Sequence, residues 1–390
     1  MSSAQASSSL QPLRVLHLVS RDAQAGMVER STLRAALTGI ARTVVEPHVV
    51  HFSKEDAEST TLRLLGVPVH DIALSRRQFS PMALRELNAI AQSCSPHIVH
   101  AWDHTAQLAA VMLESHLPVP ARMVWTMTST RPQTGLIAQA RMHAVLKWAQ
   151  RADAIVYDSA ASASAHHDSG FPSERHRIVA PGVNAELYKP DFARRRQVRE
   201  HVGIAADAFV IGMYAPFGRF VDHGLLLKAS AELSAEHPQL QVLLGGAQVE
   251  LQNAALTALL RQVPALSKRV HVVGKALDMA ELFNASDLAC FTTTVDSRRL
   301  DIVAAMLCGL PCVAISVGAQ RELLGDFGIG IAPDSVHGLV AALRKLVRLS
   351  PAERALMAQR AREHALRNYT VKRTAGRYQR LYEKLQNSGG

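Results

Sequence analysis

The chain has 390 residues, 48% of them hydrophobic and 19% charged, and a formal charge of +10. It is long enough for two cores and too apolar for a disordered protein, and its 22 Gly and 17 Pro show no period that would suggest collagen or a solenoid. The charge alone would suggest nucleic acid, but residues 341–390 hold twelve Lys and Arg against three Glu, so the excess belongs to C-terminal helices with little aromatic interleaving.

Residues 1–12 read as a Ser/Ala/Gln tail without the basic start and apolar stretch of a signal peptide. Short apolar runs then alternate with segments of helical period. Strands are predicted over 15–19, 47–52, 67–72, 97–101, 123–126, 154–157 and 177–179, and again over 209–213, 241–244, 270–273, 288–291 and 312–315. This alternation implies an α/β protein whose parallel sheets are covered on both faces. Two doubly wound domains are expected, over 13–190 and 204–370, facing each other across a cleft. The segment 185–203 is polar and basic and lacks a buried-strand pattern, so the boundary is placed there. Residues 302–319, the longest apolar stretch, are broken by Gly309 and Pro311 and read as a helix followed by a strand, not as a membrane span. Cys94, Cys290, Cys308 and Cys312 lack CxxC spacing and are expected to be buried free thiols, as in a reducing cytoplasm. Basic helices at 351–368 and 371–386 close the chain.

In open parallel sheets, ligands bind at the carboxyl ends of the strands. Residues 20–26, SRDAQAG, lack the GxGxxG fingerprint of a nicotinamide or flavin protein. Gly274-Lys275 lacks the rest of a Walker loop, and HExxH, GxSxG and DxD do not occur. The absent DxD leaves phosphate binding without a metal, through backbone N–H groups, helix N-termini and Arg or Lys.

Several segments, in order, resemble one family. AGMVER at 25–30, PHIVHAW at 96–102, ADAIVYDS at 152–159, IVAPGVN at 178–184, GMYAPFGRF at 212–220 and MLCGLPCVAISVGAQRELL at 306–324 are similar to motifs of the retaining, GT-B-fold glycosyltransferases of the group-1 class, family four. The resemblance implies two Rossmann-like domains, with the helix 371–386 packing back on the first. It also implies transfer of a sugar from a nucleotide-sugar donor to a glycan, a lipid-linked or a small-molecule acceptor. The nucleotide sugar is then a substrate, and no cofactor is expected.

The two donor-site glutamates of the family fall on Asp296 and Ala304, its acceptor-side His on Thr128, and the Lys of its GRL loop near His223. The family glycine after the first Glu falls on Ser297, followed by Arg298 and Arg299. Loss of the second carboxylate also raises an alternative, a catalytically impaired scaffold or binding subunit.

A diphosphate leaving group needs cations already in place. Arg219, whose planar fork suits phosphate oxygens, is therefore expected to be catalytic together with Asp296, the surviving donor-site acid. Gly26, Gly218, Gly246, Lys275, Ser297, Arg298 and Glu322 are expected on the donor side. Glu29, Asp103, His104 and Thr128 are expected on the acceptor side; His100 joins Asp103 and His104 in a polar cluster, and His166-His167 reads as surface. Trp148 with Arg141, Lys147 and Arg151 would suit peripheral contact with an anionic membrane at the cytoplasmic face.

Overall fold

The computed structural model describes residues 11–20, 27–53, 57–72, 80–127, 136–294 and 300–388. They form two compact units. The first unit runs to Gly182 and takes back the chain from Val371, and the second is Val183–Thr370.

The first unit holds β1 (Leu13–Ser20), β2 (Val45–Phe52), β3 (Val69–Asp71), β4 (Ile98–Ala101), β5 (Arg122–Met127), β6 (Ala154–Tyr157) and β7 (His176–Ile178). They pair in parallel in the order β3-β2-β1-β4-β5-β6-β7. The crossovers carry α1 (Met27–Gly39), α2 (Ala57–Leu64), α3 (Pro81–Cys94), α4 (His104–Glu114), α5 (Leu136–Trp148) and α6 (Ala160–Asp168). Side chains alternate across each strand, so one sheet builds two cores. Leu16, Leu18, Val99, Ala101 and Trp125 enter one, while Val15, Ile98 and Val124 enter the other.

The second unit holds β8 (Phe209–Tyr214), β9 (Leu240–Gly245), β10 (Val270–Gly274), β11 (Leu288–Phe291), β12 (Cys312–Ile315) and β13 (Ile329–Ile331), parallel in the order β10-β9-β8-β11-β12-β13. Its helices are α7 (Phe192–His201), α8 (His223–Ser234), α9 (Ala254–Arg261), α10 (Met279–Ala285), α11 (Leu300–Leu307), α12 (Ala319–Leu324), α13 (Val336–Val347) and α14 (Pro351–Asn368). The last helix, α15 (Val371–Asn387), belongs to the first unit. Strand β13 was not anticipated: it is three residues long, contains Gly330 and sits at the sheet edge, where neither length nor alternation marks a strand.

The structural division falls at Gly182–Val183, a few residues before the segment 185–203 in which the boundary is expected, and α7 lies inside that segment. Asp191 caps α7 by accepting from the Arg194 amide at 2.9 Å. Arg199 is buried and donates to the carbonyls of Ala285 at 2.8 Å and Ala208 at 3.0 Å, and to Asp287 Oδ2 at 2.7 Å. Arg195 donates to Asp287 Oδ1 at 2.7 Å, and the Val210 amide donates to Oδ2 at 2.8 Å. The helix is thus anchored by inward-pointing guanidinium groups, which a hydropathy pattern does not register.

Helix α15 buries Ala375, Tyr378, Leu381 and Tyr382 against the first unit. Gly39 at the end of α1 permits the close approach, because a Cβ there would lie 2.5 Å from the Ala375 Cβ. Beneath α15, His100 lies between the Tyr382 hydroxyl, 2.8 Å from Nδ1, and Thr126 Oγ1, 2.7 Å from Nε2. Trp102 stacks on His100 and donates its indole N–H to His17 Nδ1 at 3.0 Å. Burial, helped by His48 and Arg42, pushes His17 down to about 3, and burial together with His17 holds His100 well below the ordinary imidazole value.

Two predictions follow from this architecture. Arg199→Ala leaves Asp287 without a main partner and should destabilise the second unit by about 3 kcal/mol, read by urea unfolding; a loss under about 1 kcal/mol would contradict the anchoring role. Burial holds His17 and His100 neutral when folded, whereas both bind protons near pH 6.5 when unfolded, so their stabilisation is complete above pH 6.5 and is lost as pH falls below it, for His17 toward about 3. Each contributes a slope of up to about 1.4 kcal/mol per pH unit in that window. Urea midpoints should fall between pH 7 and pH 5, and His100→Gln, which does not titrate, should flatten the profile.

Candidate functional site

Strand order makes one place in the second unit special. The chain winds outward from β8 through β9 and β10 on one side and from β11 through β12 and β13 on the other, so the loops after β8 and β11 diverge at a topological switch point. The loop after β8 is stitched to both neighbours. The Ala215 amide donates to Gly245 O at 2.9 Å and Phe217 to Ala247 O at 2.9 Å on the β9 side. On the β11 side Asp222 donates to Thr292 O at 3.0 Å, Thr294 donates to Phe220 O at 3.1 Å, and Val221 bridges Thr293.

Arg219 stands in this stitched loop, exposed, with its guanidinium carbon 4.4 Å from the centre of the Phe220 ring. It has no carboxylate partner among the described residues, so its charge is available to an incoming anion. Gly218 beside it is open, and a Cβ there would meet nothing within 4 Å. Gly246 has a steric reason to be glycine: its φ is +125°, and a Cβ would fall 2.4 Å from Ala215 O. Lys275 is exposed at the exit of β10, two strands from β8, about 10 Å along the sheet edge. It too lacks an ion-pair partner among the described residues. Glu322 is half-buried in the first turn of α12.

Asp296, Ser297 and Arg298 lie outside the described residues, as do Gly26 and Thr128; Glu29 is in α1, but its side chain is not described. Ala304 is fully buried in α11, within the apolar cluster of Val303, Ala305 and Phe291. His223 is a buried first residue of α8 against Phe217, with ring centres 5.1 Å apart, and cannot present a solvent-facing cation where the family carries Lys.

Asp103 caps α4, accepting from the Thr105 and Ala106 amides at 3.0 Å each, and also binds Ser20. It is therefore engaged inside the first unit and does not present a free carboxylate to an acceptor. His104, half-buried, opens α4 behind that cap. His100 is core, not part of an accessible cluster. His166 is also core: its Nδ1 lies 2.8 Å from Ser162 O, and burial pushes it down to about 4. Trp148 packs on the first core with Arg151 over its ring at 4.9 Å, and Arg151 pairs with Glu114 at 2.7 Å. Trp148 is thus half-buried on that core, with Arg151 engaged beside it. The four cysteines are buried and free, and no described helix is long and apolar enough to cross a membrane.

Sequence reasoning missed the stitching residues Thr292 and Thr293, both buried at the exit of β11. The signal was present, since a run of three threonines directly follows the apolar strand LACF at the switch point.

The family model for glycosyl transferases group 1 matches residues 208–348, and that for glycosyltransferase family 4 matches residues 29–187. The D-inositol 3-phosphate glycosyltransferase of Geodermatophilus obscurus is 29% identical over 283 residues, 67% of this chain and 56% of that protein. That of Rhodococcus opacus is 28% identical over 214 residues, 53% of this chain and 47% of that protein. The chain thus spans about half the length of the curated relatives it matches. Among solved structures, Anabaena Alr3699/HepE in complex with UDP superposes with a TM-score of 0.80 at 21% identity, covering 96% of this chain and all of that one. A glycosyltransferase from Rickettsia africae gives 0.78 at 15% identity over 97% of this chain and all of its own. With one family model on each Rossmann-like unit and the same two-unit fold in the solved structures, the chain belongs to the group-1, family-four glycosyltransferases of the GT-B fold.

Proposed function

We propose that the protein transfers a glycosyl group from a nucleotide-sugar donor to a glycan, a lipid-linked or a small-molecule acceptor, without a metal. The observation that carries this reading is the exposed Arg219, without a carboxylate partner among the described residues and held at the switch point of the second sheet by a loop bonded to both flanking strands. As the bond to the anomeric carbon breaks, negative charge grows on the departing diphosphate, and a pre-placed guanidinium stabilises it without reorganisation. Lys275 supplies a second positive charge from the same edge. Asp296 would bond sugar hydroxyls, and Ser297, Arg298, Gly26 and Glu322 complete the donor side. The metal-free route is supported by the absent DxD together with these cations.

The fold neighbours described with UDP and UDP-glucose favour a uridine nucleotide, and relatives named for D-inositol 3-phosphate favour a polar small-molecule acceptor. Glu29, His104 and Thr128 are the acceptor-side residues that remain once Asp103 is assigned to the fold. A lipid-linked acceptor would bring the protein to the cytoplasmic face of an anionic membrane. Cations for that contact recur along α15 at Arg373, Arg377, Arg380 and Lys384.

A second reading, an impaired scaffold or binding subunit, is favoured by Ala304, an apolar core residue where the family carries a ribose-binding Glu. Thermal shift against UDP-, GDP- and ADP-sugars separates the two, since ligand binding raises stability by RT ln(1 + [L]/Kd). The transferase reading expects a shift with one nucleotide class and turnover unchanged within about twofold by EDTA, where a metal-assisted site would lose orders of magnitude. No shift with any of them would support the scaffold.

Arg219→Ala should lower kcat/KM by about 30- to 1000-fold, or about 2–4 kcal/mol, with the melting temperature nearly unchanged. Asp296→Ala should cost less, because a neutral hydroxyl loses only one hydrogen bond. Ala304→Glu, which the sequence alone suggests as a restoration, buries a carboxylate among apolar side chains and should lower stability unless a nucleotide ribose pairs with it. Melting with and without UDP measures that difference.

A further inference from the structure

The first turn of α4 does more than begin a helix. An N-cap requires one acceptor, and Asp103 Oδ1 fulfils that by receiving the Thr105 and Ala106 amides. The same carboxylate also holds the end of β1, where Oδ2 accepts from the Ser20 amide at 2.6 Å and Oδ1 from Ser20 Oγ at 2.8 Å. Among the described residues three of these bonds fall on Oδ1 and one on Oδ2, so the carboxylate ties the first turn of α4 to the end of β1. Ser20 is buried, it is the last residue of β1, and the chain passes directly from it to the segment carrying Gly26.

One turn further along α4, fully buried Gln107 donates its side-chain amide to Thr126 O at 3.0 Å and lies 3.1 Å from Met127 Sδ. Thr126 and Met127 end β5, and the next residue is Thr128. Two adjacent turns of one helix therefore fix the two strand ends that lead into the segments of Gly26 and Thr128. A serine at position 103 would cap α4 about as well, so capping alone does not account for a carboxylate there.

We infer that Asp103 and Gln107 are positioning residues for the transfer reaction, setting the exits of β1 and β5 from behind without touching substrate. This rests on the transferase reading above and adds to it a pair of residues expected to act on turnover more than on UDP affinity: the diphosphate cations Arg219 and Lys275 belong to the other unit, and the transferred sugar that the Gly26 segment would meet is absent from UDP.

The test uses Asp103→Ser, which keeps the cap and releases Ser20, and Gln107→Met, which keeps volume and removes the donor. Release of UDP from UDP-, GDP- or ADP-glucose (or of the matching diphosphate) is measured beside calorimetric binding of UDP and hydrogen exchange at the Ser20 amide. The expected result for Asp103→Ser is exchange at Ser20 at least about tenfold faster and kcat down about tenfold or more, with UDP affinity and melting temperature nearly unchanged. Gln107→Met should show the same split between kcat and UDP affinity. Unchanged kcat despite a released Ser20 amide, unchanged exchange at Ser20, or a parallel loss of UDP affinity would each overturn the positioning role. Wild-type protein inert toward all three donors would instead remove the transferase reading, and the positioning role with it.

Discussion

Every strand in both sheets runs parallel to its neighbours, and this imposes one constraint on everything else. A parallel strand cannot be followed by a hairpin, so the chain must leave each carboxyl end, cross the face of the sheet in a helix and return to the opposite edge. All strand exits of a unit therefore share one edge. Phosphate-binding backbone, glycines and loop cations collect there whether or not the chemistry is retained. In the second unit Gly218, Arg219, Gly246 and Lys275 lie on three adjacent exits because β8, β9 and β10 are adjacent strands.

The same constraint made most of the fold legible. Short apolar runs separated by helical periods require a covered parallel sheet, and each of the twelve expected strands overlaps a strand of the structure. What escaped is physically consistent. Helix α7 is held by arginines that reach carbonyls and Asp287, and β13 is a three-residue edge strand with a central glycine. Both are stabilised by hydrogen bonds more than by apolar periodicity. At the site, motif order indicated the loops, but residue type could not separate Asp103 as a structural carboxylate from a ligand. That distinction depends on which amides surround it: two are local, in α4, but the third is that of Ser20 at the end of β1, 83 residues earlier.

The buried histidines show how polar residues can serve a core. His17 and His100 occupy strand positions, and Trp102 the position directly after β4, where an aliphatic side chain would also fit. Their hydrogen bonds to one another, to Thr126 and to Tyr382 give the α15 interface a fixed register that apolar packing alone would leave adjustable.

Helix α15 also makes the first unit discontinuous in sequence, since its aromatic seal is separated from the rest of the unit by all of Val183–Thr370. On the ribosome, the seven-stranded sheet is therefore made long before the helix that covers one of its faces. Until Tyr378 and Tyr382 emerge, Val15, Leu33 and Val49 lack that cover, and the nascent chain is most exposed to association while its second unit folds. Closure of the first unit thus reports completion of the second, so a chain arrested anywhere before α15 carries an apolar face that chaperones and proteases can recognise.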